Sequence, residues 1–358
     1  MTRNPTQILK ERIYAGERIM ASDALDLFTW DIAELGMASS FRTSLAAPGK
    51  KVGFIIDRII NFTNKCEAAC LFCAFHARAG QMEPYELSID DILARVDELV
   101  QAGGTQVMLQ GGLHPNLSLS DYVNMVKVVK EHYPAITLHS FSPAELVHIS
   151  RKEGIGLDET LGDLKKAGLD SVPGASDLLV DRIRTTVSPR KLSKDEWCEV
   201  MYALARHGMK SSATMTYGLG ESEAERISHL EIIRSVQDRT GNIRAFIPWS
   251  FSPANTSMQD RPRTTGIDYL KIVAISRIFL DNIKYIQAGW LTEGMKLAQI
   301  ALDMGANDMG GVLTEEVVVK ATGIQTRASV EEFIELIKNA GRIPLQRDSN
   351  YSEIRVFS

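Results

Sequence analysis

Cys66, Cys70 and Cys73, in the run Cys-Glu-Ala-Ala-Cys-Leu-Phe-Cys, are the residues of this chain best suited to chemistry. Thiolates at this density are the usual cage for an iron–sulfur cluster, and a [4Fe–4S] cube needs a ligand on each of its irons. Only three cysteines arrive together. The fourth, Cys198, lies far downstream in an amphipathic stretch, Lys194 to His207, with no ligand residue beside it. Three thiolates leave one iron open to a reactant, much as a catalytic zinc keeps an open position that a structural zinc lacks. Other uses of these cysteines fit less well. A zinc site would bring two C-x2-C pairs or histidines at short spacing, and His76 is the only histidine close by. A disulfide framework belongs to short secreted chains, not to 358 residues with four cysteines. Three inert cysteines within eight residues would be an odd use of a reactive side chain.

The elements that must position this loop follow from hydrophobic patterning. The first fifty residues read as helices, with Ile8, Ile13, Ile19, Leu25 and Leu27 recurring among charged residues and a break at Ala47-Pro48-Gly49. From there to residue 358 strand-like runs alternate with helical ones. Strands are expected at Val52–Phe62, Thr105–Gln110, Ile136–Phe141, Leu169–Val172, Lys210–Tyr217, Ile243–Trp249, Tyr285–Ala288 and near Ala306–Met309. Amphipathic helices are expected at Ile89–Ala102, Ser120–His132, Ser193–His207, Glu221–Thr240 and Asp268–Asn282. Such alternation implies a parallel sheet with crossover helices. Eight units over about 250 residues point to an α/β fold of the closed (β/α)8 barrel type, with a six-stranded partial barrel as the alternative. The chain is expected to form one barrel domain, 51–358, behind a helical extension, 1–50.

Bulk composition narrows the partners. Apolar content of 44% and charged content of 24% are ordinary for a globular protein. A formal charge of −5 without a long basic run argues against nucleic acid. No apolar stretch is long enough to cross a membrane, since Tyr269 to Leu280 is interrupted by Lys271 and Arg277. The N-terminal residues lack the apolar core of a signal peptide. Oxygen-sensitive thiolates without an export signal suggest a reducing cytoplasm.

In a barrel of this type chemistry sits where strands end and loops begin. The motifs fall there. The cysteine loop follows the first strand, Gln110-Gly111-Gly112-Leu113-His114-Pro115 the second and Ser140-Phe141-Ser142-Pro143-Ala144-Glu145 the third. Val172-Pro173-Gly174-Ala175 follows the fourth, Gly218-Leu219-Gly220-Glu221 the fifth and Pro248-Trp249-Ser250-Phe251 the sixth. Glycines at several mouths of one barrel suit close backbone approach to a ligand, although each alone also serves as a plain turn.

The spacing C-x3-C-x2-C with Phe72 before the last cysteine resembles the signature of the radical S-adenosylmethionine enzymes. That resemblance implies a [4Fe–4S] cluster held by Cys66, Cys70 and Cys73, whose open iron chelates the amino and carboxylate groups of S-adenosylmethionine. It also implies Gly111 and Gly112 beside the methionyl moiety and Gly218, Gly220 and Glu221 beside the adenosyl moiety, with Ser142 and Glu145 reaching ribose or amino groups. Ser142 before Pro143 is equally a good N-cap, with Glu145 favouring the first helical turn. The implied chemistry is reductive cleavage of a carbon–sulfur bond and hydrogen abstraction by the 5′-deoxyadenosyl radical. An electron donor such as flavodoxin or ferredoxin would supply the electron. The protein's task is then to orient substrate and exclude side reactions.

The resemblance extends over about Val52 to Val356. Asp57-Arg58-Ile59-Ile60-Asn61-Phe62-Thr63-Asn64 leading into the cysteine loop is similar to a branch that includes the two radical enzymes of the futalosine route to menaquinone and the deazaflavin (F0) synthase components. Within it the chain most resembles the cyclic dehypoxanthine futalosine synthase family, through Gly111–Pro115, His139–Pro143, Asp170–Gly174, Phe246–Phe251, Gln287–Trp290 and Gly305–Gly311. One departure stands at Ala175-Ser176-Asp177, where a longer glycine run is expected. The resemblance implies dehypoxanthine futalosine as substrate, with hydrogen taken from C4′ of its sugar and ring closure onto its benzoate. A carboxylate and hydroxyls call for a cation and donors. Arg58, a charge in an apolar strand, is one candidate, with pairing to a nearby acid as the alternative. Trp249 and Trp290 are candidates to flank the aromatic ring, with core packing the alternative for each. His114, His139, Asp308 and Glu315 are candidates for the base that takes the final proton. Rival readings are an F0 synthase component, an aminofutalosine synthase and, in another class, an iron–sulfur electron-transfer protein, against which the missing fourth thiolate stands.

Overall fold

Among the described residues, eight parallel strands pass around the molecule in chain order. They are β1 (Lys51–Asn61), β2 (Gln106–Gln110), β3 (Thr137–Leu138), β4 (Ser171–Val172), β5 (Lys210–Tyr217), β6 (Ile243–Ser250), β7 (Tyr285–Ile286) and β8 (Asp308–Leu313). The computed structural model describes residues 4–77, 82–313, 317–325 and 327–358. Ladders join β1 to β2 to β3, β4 through β7, and β8 back to β1. The two arcs meet at single bridges, His139 with Ser171 and Gln287 with Asp308. The barrel is thus firmly paired in two arcs and thinly seamed between them, and the six-stranded alternative falls. The seams fall at β3, β4 and β7, strands of two residues each.

Crossover helices begin where the sequence offers a Ser or Thr with an acid three residues on. Ser88/Asp91, Ser193/Glu196, Ser222/Glu225 and Thr265/Asp268 each form a reciprocal capping box, which satisfies two otherwise orphaned N–H groups per helix. These helices are Ile89–Gln101, Lys194–Arg206, Glu223–Thr240 and Gly266–Phe279. Because each cap fixes where its helix starts, it also fixes how much loop remains above the barrel.

Helices Pro5–Tyr14, Ala21–Asp26 and Ile32–Ala46 precede β1 and lie against the helical layer. Ser40 donates to the carbonyl of Asp303, Lys271 to that of Phe28, and Arg18 pairs with Asp238 and Asp281.

Two strands had no expectation from sequence. β9 (Ile343–Arg347) runs parallel along the first residues of β1, and β10 (Glu353–Val356) pairs antiparallel with β9. One edge of β1 carries β8, so β9 and β2 share the other, β9 at Lys51–Phe54 and β2 from Asp57 onward. The turn between β9 and β10 tucks under the barrel. Its Arg347, Ser349 and Tyr351 reach Asp308, Gln106 and Gln287 respectively, and Tyr351 stacks on Tyr285 with ring centroids 3.7 Å apart. The barrel is thereby closed at its N-terminal end by polar and aromatic side chains. Ile59, Met108, Gln110, Ser212, Ile247 and Trp249 remain partly accessible above them, and they mark a lumen open towards the strand ends.

Candidate active site

The cysteine loop lies between β1 and helix Ile89–Gln101. Cys70 is buried, Cys66 and Cys73 are partly so, and all three thiols are free. Burial pushes the Cys70 thiol up to about 12 and raises that of Cys73 as well. Thiols held so high become ligands only when a metal takes the place of the proton. The surroundings favour that exchange. The Leu113 N–H donates to Cys66 Sγ at 3.2 Å, and N–H groups of Phe75 and His76 reach Cys73. Among the described residues no three His, Cys, Asp or Glu side chains converge as one metal ion would require, whereas a cube spreads its thiolates over different irons. The donor set fits the cluster.

Gly112 exists for this packing. A Cβ there would stand 2.9 Å from Cys66 Sγ and 3.0 Å from its Cα, closer than atoms tolerate. At Gly111 a Cβ would meet the Phe62 ring at 2.6 Å. The Gly111 N–H donates to Glu145, whose other oxygen accepts from Ser142 Oγ at 2.6 Å. Ser142 also caps helix Pro143–Glu153. Burial pushes Glu145 up to about 7, against the pull of its Ser142 and Gly111 bonds. The N-cap alternative holds, with Ser142 as the cap and Glu145 in the first turn.

At the fifth strand end Gly218 and Gly220 have φ of 92° and 101°, conformations that suit glycine alone. The Glu221 carboxylate is fully buried and accepts from Gly218 N–H, Leu219 N–H and Arg226 Nε, each at 2.8 Å. Its role is to hold the turn; only the turn's backbone is presented outward.

Residues 175–177 occupy the place of the expected glycine run. Ala175 and Asp177 have φ of 36° and 47°, so the backbone adopts glycine-like conformations without glycine. The side chains are then put to use: Ser176 Oγ donates to the Thr214 carbonyl, and Asp177 accepts from Lys191 at 2.5 Å. Lys191 Nζ also lies 5.9 Å from the centroid of Phe72, which places a cation beside the cysteine loop. Sequence reading missed Lys191, because its place depends on the turn after helix Asp181–Val187.

Several other candidates stand elsewhere. Arg58 points into the helical layer, where it donates to Glu98 at 2.5 Å and to the Arg95 carbonyl; it is not a lumen cation. His114 Nδ1 accepts the N–H groups of Asn116 and Leu117, and Nε2 lies 3.1 Å from Glu86, so it braces its own loop and is no free base. Trp290 is buried, donates to the Gly311 carbonyl and packs edge-on against Phe333; the core-packing alternative holds there. Asp308 is locked by Arg347 through contacts of 2.6 and 2.7 Å and accepts the Gly310 N–H. Glu315 lies outside the described residues. Trp249 does face the lumen, with Nε1 donating to Thr216 Oγ1 at 2.8 Å.

His139 sits at the floor, 2.8 Å from Ser171 Oγ and 3.0 Å from Arg244 Nη2. Because arginine can only donate, Nδ1 is an acceptor and Nε2 carries the proton. Burial first, then Arg244 and Arg347, holds the ring far below its usual value. It is a neutral donor rather than a base. Sequence reading also missed Asp57, which accepts from Gln106 and is pushed by burial up to about 7, with Arg347 and Gln106 pulling the other way. The signal was present: Val52, Phe54, Ile56 and Ile60 make the apolar set of β1, so the opposite set, Gly53, Ile55 and Asp57, had to face inward.

Residues 60–233 match the family model of the radical S-adenosylmethionine superfamily, and solved structures share the fold. A methylornithine synthase (PylB) covers 94% of this chain and 97% of its own at TM-score 0.75 and 17% identity. The hydrogenase maturase HydG from Carboxydothermus hydrogenoformans gives TM-score 0.75 at 16% identity, covering 97% and 80%. The chain belongs to the radical S-adenosylmethionine superfamily, whose members use a [4Fe–4S] cluster and S-adenosylmethionine. Residues 240–357 match the CofH/MqnC C-terminal region. Cyclic dehypoxanthine futalosine synthases of Halalkalibacterium halodurans and Streptomyces coelicolor are each 40% identical, over 97% and 98% of this chain and 94% and 89% of their own. A 5-amino-6-(D-ribitylamino)uracil–L-tyrosine 4-hydroxyphenyl transferase of Methanococcoides burtonii is also 40% identical, over 97% of this chain and 99% of its own. No helix among the described residues is long and apolar enough to cross a membrane.

Proposed function

We propose that this enzyme converts dehypoxanthine futalosine to its cyclic spiro product, a step of menaquinone biosynthesis. The observation that carries the reading is the near full-length match to two cyclic dehypoxanthine futalosine synthases. The Pro248-Trp249 pair supports it, since Trp249 offers an aromatic surface inside the lumen where a benzoate and a sugar must be held together. Cys66, Cys70 and Cys73 would hold the cluster, which with bound S-adenosylmethionine would supply radical hydrogen-abstraction chemistry, its electron coming from a donor of the flavodoxin or ferredoxin type. Gly111, Gly112 and the Gly218–Glu221 turn offer backbone to the cofactor, Ser142 and Glu145 offer polar atoms, and Phe72 lines the loop. The plugged floor keeps bulk water from a reactive substrate radical.

Substrate deuterated at C4′ should pass its label to 5′-deoxyadenosine and give the spirocycle. Turnover without label transfer would remove the reaction assignment while leaving the family untouched. The equal identity to the tyrosine transferase supports a second reading. Cofactor cleavage provoked by tyrosine with 5-amino-6-(D-ribitylamino)uracil, and not by dehypoxanthine futalosine, would replace the first reading with it.

A further inference from the structure

Arg244 is a partly buried cation that no carboxylate among the described residues claims. It lies near the start of β6, at the floor of the lumen, and stays partly accessible there. Its guanidinium donates to the Ser349 carbonyl, to His139 Nδ1 at 3.0 Å and to Ser171 Oγ at 3.1 Å. Of five guanidinium donors, this leaves two uncommitted. Among the described residues no Asp or Glu oxygen forms an ion pair with it. Asp170, which acts on it from farther off, is taken by Lys130, and the Asp348 side chain accepts N–H groups of Asn350 and Ser352.

Arg42 and Arg234 also lack an acid among the described residues and donate, between the helices, to the carbonyls of Glu17 and of Ile19 and Phe279, whereas three further buried arginines are provided for. Arg347 has Asp308. Arg184 is surrounded by the carbonyls of Ser176, Leu178 and Leu192, and Arg277 by those of Gly305, Ile283 and Lys284. A guanidinium withdrawn into the barrel with neither an acid nor a full set of acceptors pays for its lost hydration, and a ligand carboxylate would offset that cost. His139 adds to the argument. Arg244 holds its Nδ1 as acceptor, so the Nε2–H is left as a second donor, and no hydrogen bond from the described residues occupies it.

We infer that Arg244, with His139 beside it, is the seat of a substrate carboxylate at the floor of the lumen. The inference rests on the proposed function for the identity of that carboxylate, the benzoate of dehypoxanthine futalosine. Held there, the benzoate end is directed away from the cysteine loop and the sugar towards it, which is the orientation that abstraction from the sugar demands. The floor thus sets direction, and Arg244 and His139 act as binding residues with no part in proton transfer.

Calorimetric titration of the cluster-loaded protein with S-adenosylmethionine, without reductant, tests the seat. The ligands are dehypoxanthine futalosine and its carboxamide. The carboxylate should bind roughly 10- to 100-fold more tightly than the carboxamide, the size of a charge-assisted hydrogen bond. Arg244→Met should bind both at the carboxamide level, and Arg244→Lys should regain part of the preference. An unchanged preference in Arg244→Met, or equal weakening of both ligands there, overturns the seat. L-tyrosine and its amide form a second pair. If the futalosine pair does not bind while the tyrosine pair shows a carboxylate preference that Arg244→Met abolishes, the seat stands and the futalosine reading falls. No carboxylate preference in either pair overturns the seat.

Discussion

The mouth and the floor of this barrel solve opposite problems with similar residues. At the mouth, Cys66, Cys70 and Cys73 come from one short loop, and their partners are mostly backbone N–H groups of the next loop or their own. At the floor, Asp57, Gln106, His139, Arg244, Asp308 and Arg347 come from six separate segments and bind chiefly one another. The three thiols at the mouth are left free, whereas the floor is nearly complete in itself. The contrast teaches how to read polar groups inside a barrel: those satisfied by neighbours build the wall, and the few left over, Arg244 foremost, mark where a ligand belongs.

The strongest way to break this comparison is at the mouth. Ala at Cys66, Cys70 or Cys73 should abolish cluster assembly and cofactor cleavage, read as iron content and visible absorbance. Cys198→Ala, on helix Lys194–Arg206, should leave both near wild type. Loss of the cluster in the Cys198 variant would show that ligation is not confined to the loop.

At the floor the expected loss is in stability. Asp308→Asn strands Arg347 without its counter-charge, and unpairing a buried ion costs about 3–5 kcal/mol. Denaturant unfolding of the cluster-free protein measures it. A loss below about 1 kcal/mol would mean that the plug is not built on this pair.

Both regions hold a carboxyl protonated to unusually high pH, Glu145 at the mouth and Asp57 at the floor, each pushed by burial up to about 7. The unfolded chain releases these protons near their ordinary values of 4.5 and 3.8. Between those values and about 7 the folded state therefore holds more protons, and stability falls as pH rises through this window. Glu145→Gln and Asp57→Asn should each flatten part of that decline in unfolding measured at pH 5 and pH 8. An unchanged slope in both would show that the carboxyls ionise freely.

The smallest effect is expected outside the barrel. Glu98→Gln removes the acid that holds Arg58, but Glu98 is largely exposed, so the midpoint of denaturant unfolding should barely move. Substrate affinity should not move. A clear rise in KM would return Arg58 to the substrate-binding set.

Strand and helix assignments were legible wherever a period of two or 3.6 ran long enough. Lys210–Tyr217 appears with the bounds expected, and the long helices agree to within a few residues. β9 and β10 were not legible. Pro344 interrupts the pattern of the first, and the second is exposed along its whole length, so neither carries the alternation of a buried strand. The Arg58 expectation failed for a related reason. A charge in an apolar strand says that a partner exists, but parity along β1 decides which face the partner is on, and the helical layer won.

By itself the sequence determined that three thiols meet at the mouth, because a single loop can deliver them by spacing alone. It also determined the barrel, since alternating periods leave little other choice. Only the tertiary structure decided which polar residues face the lumen. Arg244, His139 and the turn Arg347–Tyr351 are far apart along the chain, and no local pattern records that the C-terminal turn folds back beneath β1. Burial and charge pairing act through space. Whether an arginine is spoken for or waits for a ligand is therefore settled by neighbours that the linear order does not reveal.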